Sequence, residues 1–318
     1  MKKEFFVSVI IPTYNNERTL QRCLSSVYIQ DYKDFEVICV DGGSTDKTLD
    51  IIKDFDIIFL NNPHKIEEKA KPLALKKAKG ELILLIDSDN VLPHKSWLSN
   101  MVLCFNDHEI VGADTYYYGY LKKDNIFTRY AALIGGDDPI ASYLGINDRY
   151  CYFTNKWTGF PAITQDTGLY YKVTLTDAKR VPAMGSNGFM VRKKALDKIS
   201  VDPYVHTVVI YDLVNNGENK FAKTKDYIIH IQDGFSSFIK KKIRRIKRRK
   251  TNEVTWRYSF DIPKINIILL GIYIITLILL LKDTFVGFFR KRTYAWVLHP
   301  IMCVILLFVY LFYSIKKN

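Results

Sequence analysis

Residues 81–90 read Glu-Leu-Ile-Leu-Leu-Ile-Asp-Ser-Asp-Asn, an apolar run from Leu82 to Ile86 that ends in two carboxylates, Asp87 and Asp89, at alternate positions. A continuous apolar run without polar alternation suits a strand buried on both faces, as in a parallel sheet covered by helices. Such a strand delivers its C-terminal loop to a ligand crevice. Oxygen ligands suit a hard cation, Mg²⁺ or Mn²⁺, whose shell a substrate diphosphate can complete. The tripeptide alone is also a common solvated turn, so its meaning rests on its surroundings.

Working outward, Val7-Ser8-Val9-Ile10-Ile11 is a β-rich run broken by Pro12-Thr13-Tyr14-Asn15-Asn16, after which Glu17 to Leu20 opens a helical pattern. A second run, Phe35 to Val40, ends at Asp41, and Gly42-Gly43-Ser44-Thr45-Asp46 turns the chain into another helix. In an open parallel α/β sheet, ligands bind outside the carboxyl ends of the strands, so Tyr14, Asp41 and 87–89 are expected to converge. Structural roles compete for the same residues: Tyr14 as a turn aromatic, Asp41 and Asp46 as helix caps.

Taken together, Val7 to Glu17, Val40 to Asp46 and Asp87-Ser88-Asp89 resemble the signature blocks of family-2 glycosyltransferases. The resemblance implies an α/β domain of the GT-A type and inverting transfer from a nucleotide-diphospho-sugar. It implies that Pro12, Tyr14 and Glu17 cradle the nucleotide, that Asp41 recognises the base, and that Asp87, Ser88 and Asp89 hold metal and diphosphate. Where the family often carries Ala-Arg-Asn, this chain has Ala70-Lys71-Pro72. Lys71 keeps a charge for a phosphate without the fork of Arg, and Pro72 suits the first turn of a helix through Leu75 and Ala78.

Further on, residues 182–193 resemble the family's acceptor block. Gly185 and Gly188 would admit close backbone approach to a sugar, and Asn187 offers donor and acceptor; a plain β-turn explains the glycines as well. Val208 to Val214 stands where the family has Glu-Asp opening a helix, with Tyr211 in place of Glu, which makes Asp212 the candidate general base; a helix cap is the alternative. His230, after the run Tyr227 to Ile229, is a candidate diphosphate contact. The aromatic stretch 116–159 reads either as acceptor-side loops or as packing against an anchor. No Gln-x-x-Arg-Trp motif of the processive synthases is present, which favours single addition.

The chain has 318 residues, 48% hydrophobic, and a formal net charge of +13. Nine of the eleven residues from Lys240 to Lys250 are cationic, so without them the charge is +4; the basic balance is local and gives no reason to expect a nucleic-acid partner. Phe235, Phe238, Ile239, Ile243 and Ile246 recur at helical spacing through this run. A helix at 236–260 is therefore expected in the membrane interface, its stripe among acyl chains and its cations on anionic lipids. Residues 265–281 and 294–315 read as the spans of a transmembrane hairpin within 261–318. The basic run before them places the catalytic domain on the cytoplasmic side of a multi-pass cell-membrane protein, and no secretory leader is recognised at Met1 to Glu4. Cys23, Cys39, Cys104, Cys151 and Cys303 are scattered, which reads as ordinary packing.

The expected organisation is a transferase domain over 1–235, divided into a donor half (1–115) and an acceptor half (116–235), followed by the interfacial helix and the hairpin. Placement beside a bilayer points to a lipid-linked glycan acceptor. Polyprenyl phosphate is the alternative acceptor, and an inactive membrane scaffold the alternative of another class.

Overall fold

The computed structural model describes residues 4–250, 258, 260 and 264–315. Two compact units are present: Met1–Tyr116 with Pro161–Ile229, and Tyr117–Phe160 with His230–Asn318.

The first unit is built on a mixed sheet. Its chain order is β1 (Val7–Thr13), α1 (Leu20–Tyr28), β2 (Phe35–Asp41), α2 (Thr48–Lys53), β3 (Ile58–Asn61), α3 (Glu67–Leu75), β4 (Leu82–Leu85), β5 (Asn90–Val91), α4 (Trp97–Leu103) and β6 (Gly112–Gly119), whose end runs into the second unit. That unit begins with α5 (Ile126–Ile134) and α6 (Pro139–Tyr143). The chain then returns through β7 (Ala162–Asp166), β8 (Tyr170–Leu175), β9 (Phe189–Arg192), α7 (Lys193–Leu196), α8 (His206–Asn215) and β10 (Lys220–His230).

Strand order is β3-β2-β1-β4-β9-β6-β10-β8-β7, with β5 paired to β10. The strands β3, β2, β1 and β4 are parallel, which is why β1 and β4 are buried at every residue. Beyond them, β9 runs antiparallel to β4 and β6, and β8 antiparallel to β10 and β7. Because β2 lies on one side of β1 and β4 on the other, strand order reverses there. That is the switch point at which α/β sheets open a crevice. Leu85 pairs with Phe189 across β4 and β9, so the turn entering β9 lies at the same sheet edge as the loop leaving β4.

One expectation changes in α3. Pro72 is its sixth residue, not part of its first turn. Proline has no N–H for the carbonyl four residues back, and that carbonyl, on Glu68, accepts from Tyr204 N at 2.8 Å instead.

The second unit continues with α9 (Phe235–Lys250), α10 (Lys264–Thr276), α11 (Ile278–Arg290) and α12 (Leu298–Ile315). Its apolar core joins Tyr130, Leu133 and Ile134 of α5 to Phe238, Tyr273, Leu280, Trp296, Met302 and Leu306. Gly287 is required there, since a Cβ would lie 2.4 Å from the Trp296 ring.

The sequence expectations for this region need two corrections. The helix expected in the interface corresponds to α9, and part of its apolar stripe faces protein: Phe238 is buried in the core, and Lys242 on the same side pairs with Asp137 and Asp138 at 3.0 and 3.2 Å. Most of the rest of 236–260 lies outside the described residues. The expected span 265–281 is interrupted at Leu277 (φ +56°), where α10 and α11 meet at 86°, and the expected loop 282–293 is helical as far as Arg290. Among the described residues, Tyr294–Tyr313 is long and apolar enough to cross a membrane, and a second span exists only if the bent pair counts as one.

Candidate functional site

Loops leaving β1 and β2 are tied together at the switch point. Asn15 N donates to Ser44 Oγ at 2.8 Å, and its Oδ1 accepts from Thr45 N at 2.8 Å. Asn16 N donates to Thr48 Oγ1 at 2.7 Å. Glu17 and Asp46 exchange partners: Glu17 Oε2 accepts from Lys47 N at 3.0 Å, and Asp46 Oδ2 accepts from Glu17 N at 3.1 Å. The second Asp46 oxygen accepts from Thr48 N at the start of α2, and these bonds hold its carboxyl below the usual range despite some burial. Glu17, expected at the nucleotide, is thus part of the clamp between the two loops.

Asp41, 1% exposed, shapes the turn after β2. Its Oδ2 accepts from Gly43 N at 2.7 Å and Ser44 N at 2.8 Å, while the Ser44 hydroxyl donates to Oδ1. Gly43 takes φ +87°, a conformation that favours glycine. A Cβ on Gly42 would stand 3.3 Å from the Tyr14 ring, so the ring lies directly beside this turn. Tyr14 is 52% exposed beside the buried Asp41. Pro12 lies in β1 opposite Val40, two residues before Tyr14.

On the other side of β1, the loop after β4 carries Asp87 and Asp89, both partly exposed, around the buried Ser88. Asn90, fully buried, holds the loop from below. Its Oδ1 accepts from Asp87 N at 2.9 Å; its Nδ2 donates to Asn187 Oδ1 at 3.0 Å and lies 3.4 Å from Asp89 Oδ1. The loop after β4 and the 185–188 turn are therefore joined side chain to side chain. Gly188 N donates to Leu85 O at 2.8 Å, and Gly185, Asn187 and Gly188 all have positive φ.

Lys71, expected to meet a phosphate, lies behind the loop with its side chain 3% exposed. It is 2.9 Å from Glu67 Oε1 and 3.4 Å from Asp87 Oδ1, and 5.6 Å from the centre of the Tyr204 ring. Burial disfavours its ammonium, but Asp87 and Glu67 outweigh that and raise its pKa. Tyr204 continues the chain of contacts, donating to Gly185 O at 3.2 Å. Neither Asn90 nor Tyr204 was assigned a role from sequence. Asn90 adjoins the acidic pair, but the position of Tyr204 depends on the carbonyl freed by Pro72.

His206 opens α8 against Gly185, where an added Cβ would meet His206 O at 2.9 Å. Asp212 is half-buried in the same helix, six residues on, or about 9 Å along the axis. That position is inside the helix, so capping does not explain it. His230 falls in the second unit, its ring 5.9 Å from that of Tyr118.

Among the described residues, no group of three or more His, Cys, Asp and Glu side chains could hold a metal. Asp87 and Asp89 supply hard carboxylate oxygens, a set that fits an ion completing its shell with substrate oxygens and water.

The model of the family described as "Glycosyl transferase family 2" matches residues 8–200, which include all of these loops. The chain is 36% identical over 126 residues to the UDP-Glc:alpha-D-GlcNAc-diphosphoundecaprenol beta-1,3-glucosyltransferase WfaP of Escherichia coli, covering 38% of this chain and 49% of that protein. It is 35% identical over 105 residues to the glycosyltransferase AglE of Haloferax volcanii, covering 30% and 34%. The chain thus spans less than half the length of these relatives. Among solved structures, the mannosyltransferase PcManGT of Pyrobaculum calidifontis, in complex with GDP-Man and Mn²⁺, aligns over 99% of this chain and 89% of its own at a TM-score of 0.54 and 15% identity, a likeness of fold.

Proposed function

The chain belongs to glycosyl transferase family 2 and has its α/β GT-A fold, and on that premise we propose that it moves a sugar from a nucleotide-diphospho-sugar to a lipid-linked glycan at the cytoplasmic face of the cell membrane, in glycan assembly. One observation carries this reading: the exposed Tyr14 ring and the Asp87–Asp89 loop flank the switch point, and Asn90 joins that loop to Asn187. The name of WfaP, which specifies a nucleotide-sugar donor and a diphosphoundecaprenol acceptor, supports the same substrate classes, and the GDP-Man and Mn²⁺ of the PcManGT complex fit the donor and ion alone.

In the proposed reaction, Tyr14 packs on the base beside the Asp41 turn, and Pro12 and Glu17 hold the first loop in register. Asp87 and Asp89, with Ser88 between them, would hold Mg²⁺ or Mn²⁺, which supplies positive charge against the diphosphate when bound. Lys71 keeps the Asp87 carboxylate oriented and charged. An acceptor oxygen, approached by Gly185, Asn187 and Gly188, forms a bond to the anomeric carbon as the bond from that carbon to the diphosphate oxygen breaks. Attack opposite the leaving group inverts the centre. A hydroxyl acceptor releases its proton to a carboxylate, for which Asp212 is the candidate. His230 remains a proposed diphosphate contact.

A second reading is favoured by the place of Asp212 within α8, while His206 meets Gly185. An acceptor such as polyprenyl phosphate is already ionised and needs no base. The test is transfer from UDP- and GDP-sugars to both acceptor classes by the wild type and Asp212→Asn. Loss of transfer to hydroxyl acceptors in the variant supports the first reading, and transfer to polyprenyl phosphate at wild-type rate supports the second. No transfer to either acceptor by the wild type from any donor sinks both.

A further inference from the structure

The helices expected to form a hairpin keep returning to one part of the second unit. Phe260, four residues before α10, stacks on Phe160 with ring centroids 6.1 Å apart. Near the bend, Tyr273 of α10 lies against Tyr143 of α6 at 4.2 Å. At the end of α11, Arg290 donates to the carbonyls of Tyr152 and Phe153 at 2.8 and 3.1 Å. Entry, bend and exit therefore all rest on the segment 117–160. Each of the two helices has 13 residues, a rise of about 20 Å, against a hydrocarbon core of about 30 Å. A span would carry its exit to the far side of the bilayer, away from that segment.

The same holds for α12. In its first turn, His299 Nδ1 is 2.9 Å from the Tyr130 hydroxyl of α5. Eleven residues later, Tyr310 donates to Asp138, which also pairs with Lys242 of α9. Lys247 of α9 then lies 5.7 Å from the centre of the Tyr313 ring. The helix runs beside α5, α6 and the basic α9, with an ionic pair two-thirds of the way along it. A crossing α12 would draw the segments that carry Asp138 and Lys242 into the membrane with it, where ionised groups are costly.

The outward faces are apolar. Ile275, Ile278, Phe285, Phe289, Phe308 and Phe312 are 58–77% exposed, more apolar surface than water tolerates without a partner. Exposed cations adjoin it in sequence: Lys282, Arg290, Lys291 and Arg292 on and after α11, and Lys240, Arg244 and Lys247 on α9.

We propose that α10, α11 and α12 form a monotopic anchor, seated through these faces in one leaflet with the cations on anionic headgroups, so that none of the three crosses the bilayer. This rests on the reading of the second unit as membrane-bound and specifies its topology. The occupant is an anionic lipid surface because apolar faces edged with cations match acyl chains beneath acidic headgroups.

The five native cysteines are buried, so single introduced cysteines can be labelled selectively in the full chain. Arg244→Cys, Lys291→Cys and Lys317→Cys are each treated with a membrane-impermeant maleimide in sealed vesicles of both orientations from expressing cells. All three are expected to label from the same side. Labelling of Lys291→Cys or Lys317→Cys from the side opposite Arg244→Cys overturns the proposal while leaving membrane attachment standing. Separately, the purified protein is floated with vesicles of phosphatidylcholine and phosphatidylglycerol at about 3:1. It is expected to float, and Phe285→Glu/Phe289→Glu to float several-fold less. A wild type that stays unbound and self-associates assigns the face to a second copy and removes the membrane reading itself. Neither readout depends on sugar transfer.

Discussion

Asn90 is uncharged and fully buried, yet it fixes the amide of Asp87, faces Asp89 and bonds Asn187. Asn90→Ala removes the bonds to Asp87 N and Asn187 Oδ1, each worth about 0.5–1.5 kcal/mol, so donor and acceptor KM should rise together in steady-state assays. Lys71→Met removes the cation between Glu67 and Asp87 at nearly constant volume. The charge that faces Asp87 Oδ1 at 3.4 Å is then gone, and kcat/KM is expected to fall about 100-fold, a loss of ~3 kcal/mol. The sign of the pH effect follows from the raised pKa of Lys71. Its charge contribution is complete below the unfolded-state value of about 10.4 and is lost only as pH rises through the higher folded value. Donor affinity should therefore show no Lys71-linked loss between about pH 7 and 10, as read by titration calorimetry. The carboxylates were legible in sequence because they end an apolar run. The duty of Lys71 was not, because a lysine beside a phosphate and a lysine behind a carboxylate have the same sequence signature.

Strands β1, β2 and β4 were readable as elements because continuous apolar runs leave few alternatives. The helix at Pro72 was readable too, but not its start at Glu67, because a proline inside the helix is tolerated here through a distant partner, with Tyr204 using the carbonyl that Pro72 leaves open. The glycines of the acceptor turn were ambiguous for a related reason: positive φ serves a plain turn and a ligand turn alike. Gly188 is also packed, since an added Cβ would meet Ile228 Cδ1 at 2.7 Å. At φ +88°, Gly188→Ala should destabilise the fold by about 1–3 kcal/mol in denaturant titration. For α9, the periodicity of its stripe was visible, but its docking depends on Asp137, which sequence does not connect to it. Burial disfavours the Asp137 carboxylate, but Lys242 and Arg245 outweigh this and hold its pKa well below the usual range. The stabilisation is present above the unfolded value of about 3.9 and is lost as pH falls through the folded one. Asp137→Asn should therefore lower stability at neutral pH and flatten the acid limb of the stability curve, measured by thermal unfolding from about pH 7 to 3.

Across the whole molecule, the convergence of three loops at one switch point follows from the parallel arrangement of β1, β2 and β4 that the apolar runs already suggested, whereas the antiparallel pairings beyond β4 were not legible in them. The partition of the chain does not follow from them either. Residues 117–160 leave the sheet unit to join the C-terminal helices, a grouping set by contacts such as Tyr143 with Tyr273 that no local pattern announces. The apolar quantity in 265–315 was evident, whereas the break at Leu277 was not, because leucine is an ordinary helix residue that here takes φ +56°. The proposed function turns on a divalent ion that Asp87 and Asp89 would hold against a donor diphosphate. Titration calorimetry of the full chain with UDP and GDP, each with and without Mn²⁺, tests it most directly, with Asp89→Asn alongside. The account predicts nucleotide binding that strengthens at least about tenfold with the ion, and loss of that gain in Asp89→Asn. Equal affinity with and without the ion, or an unchanged ion effect in the variant, would contradict it.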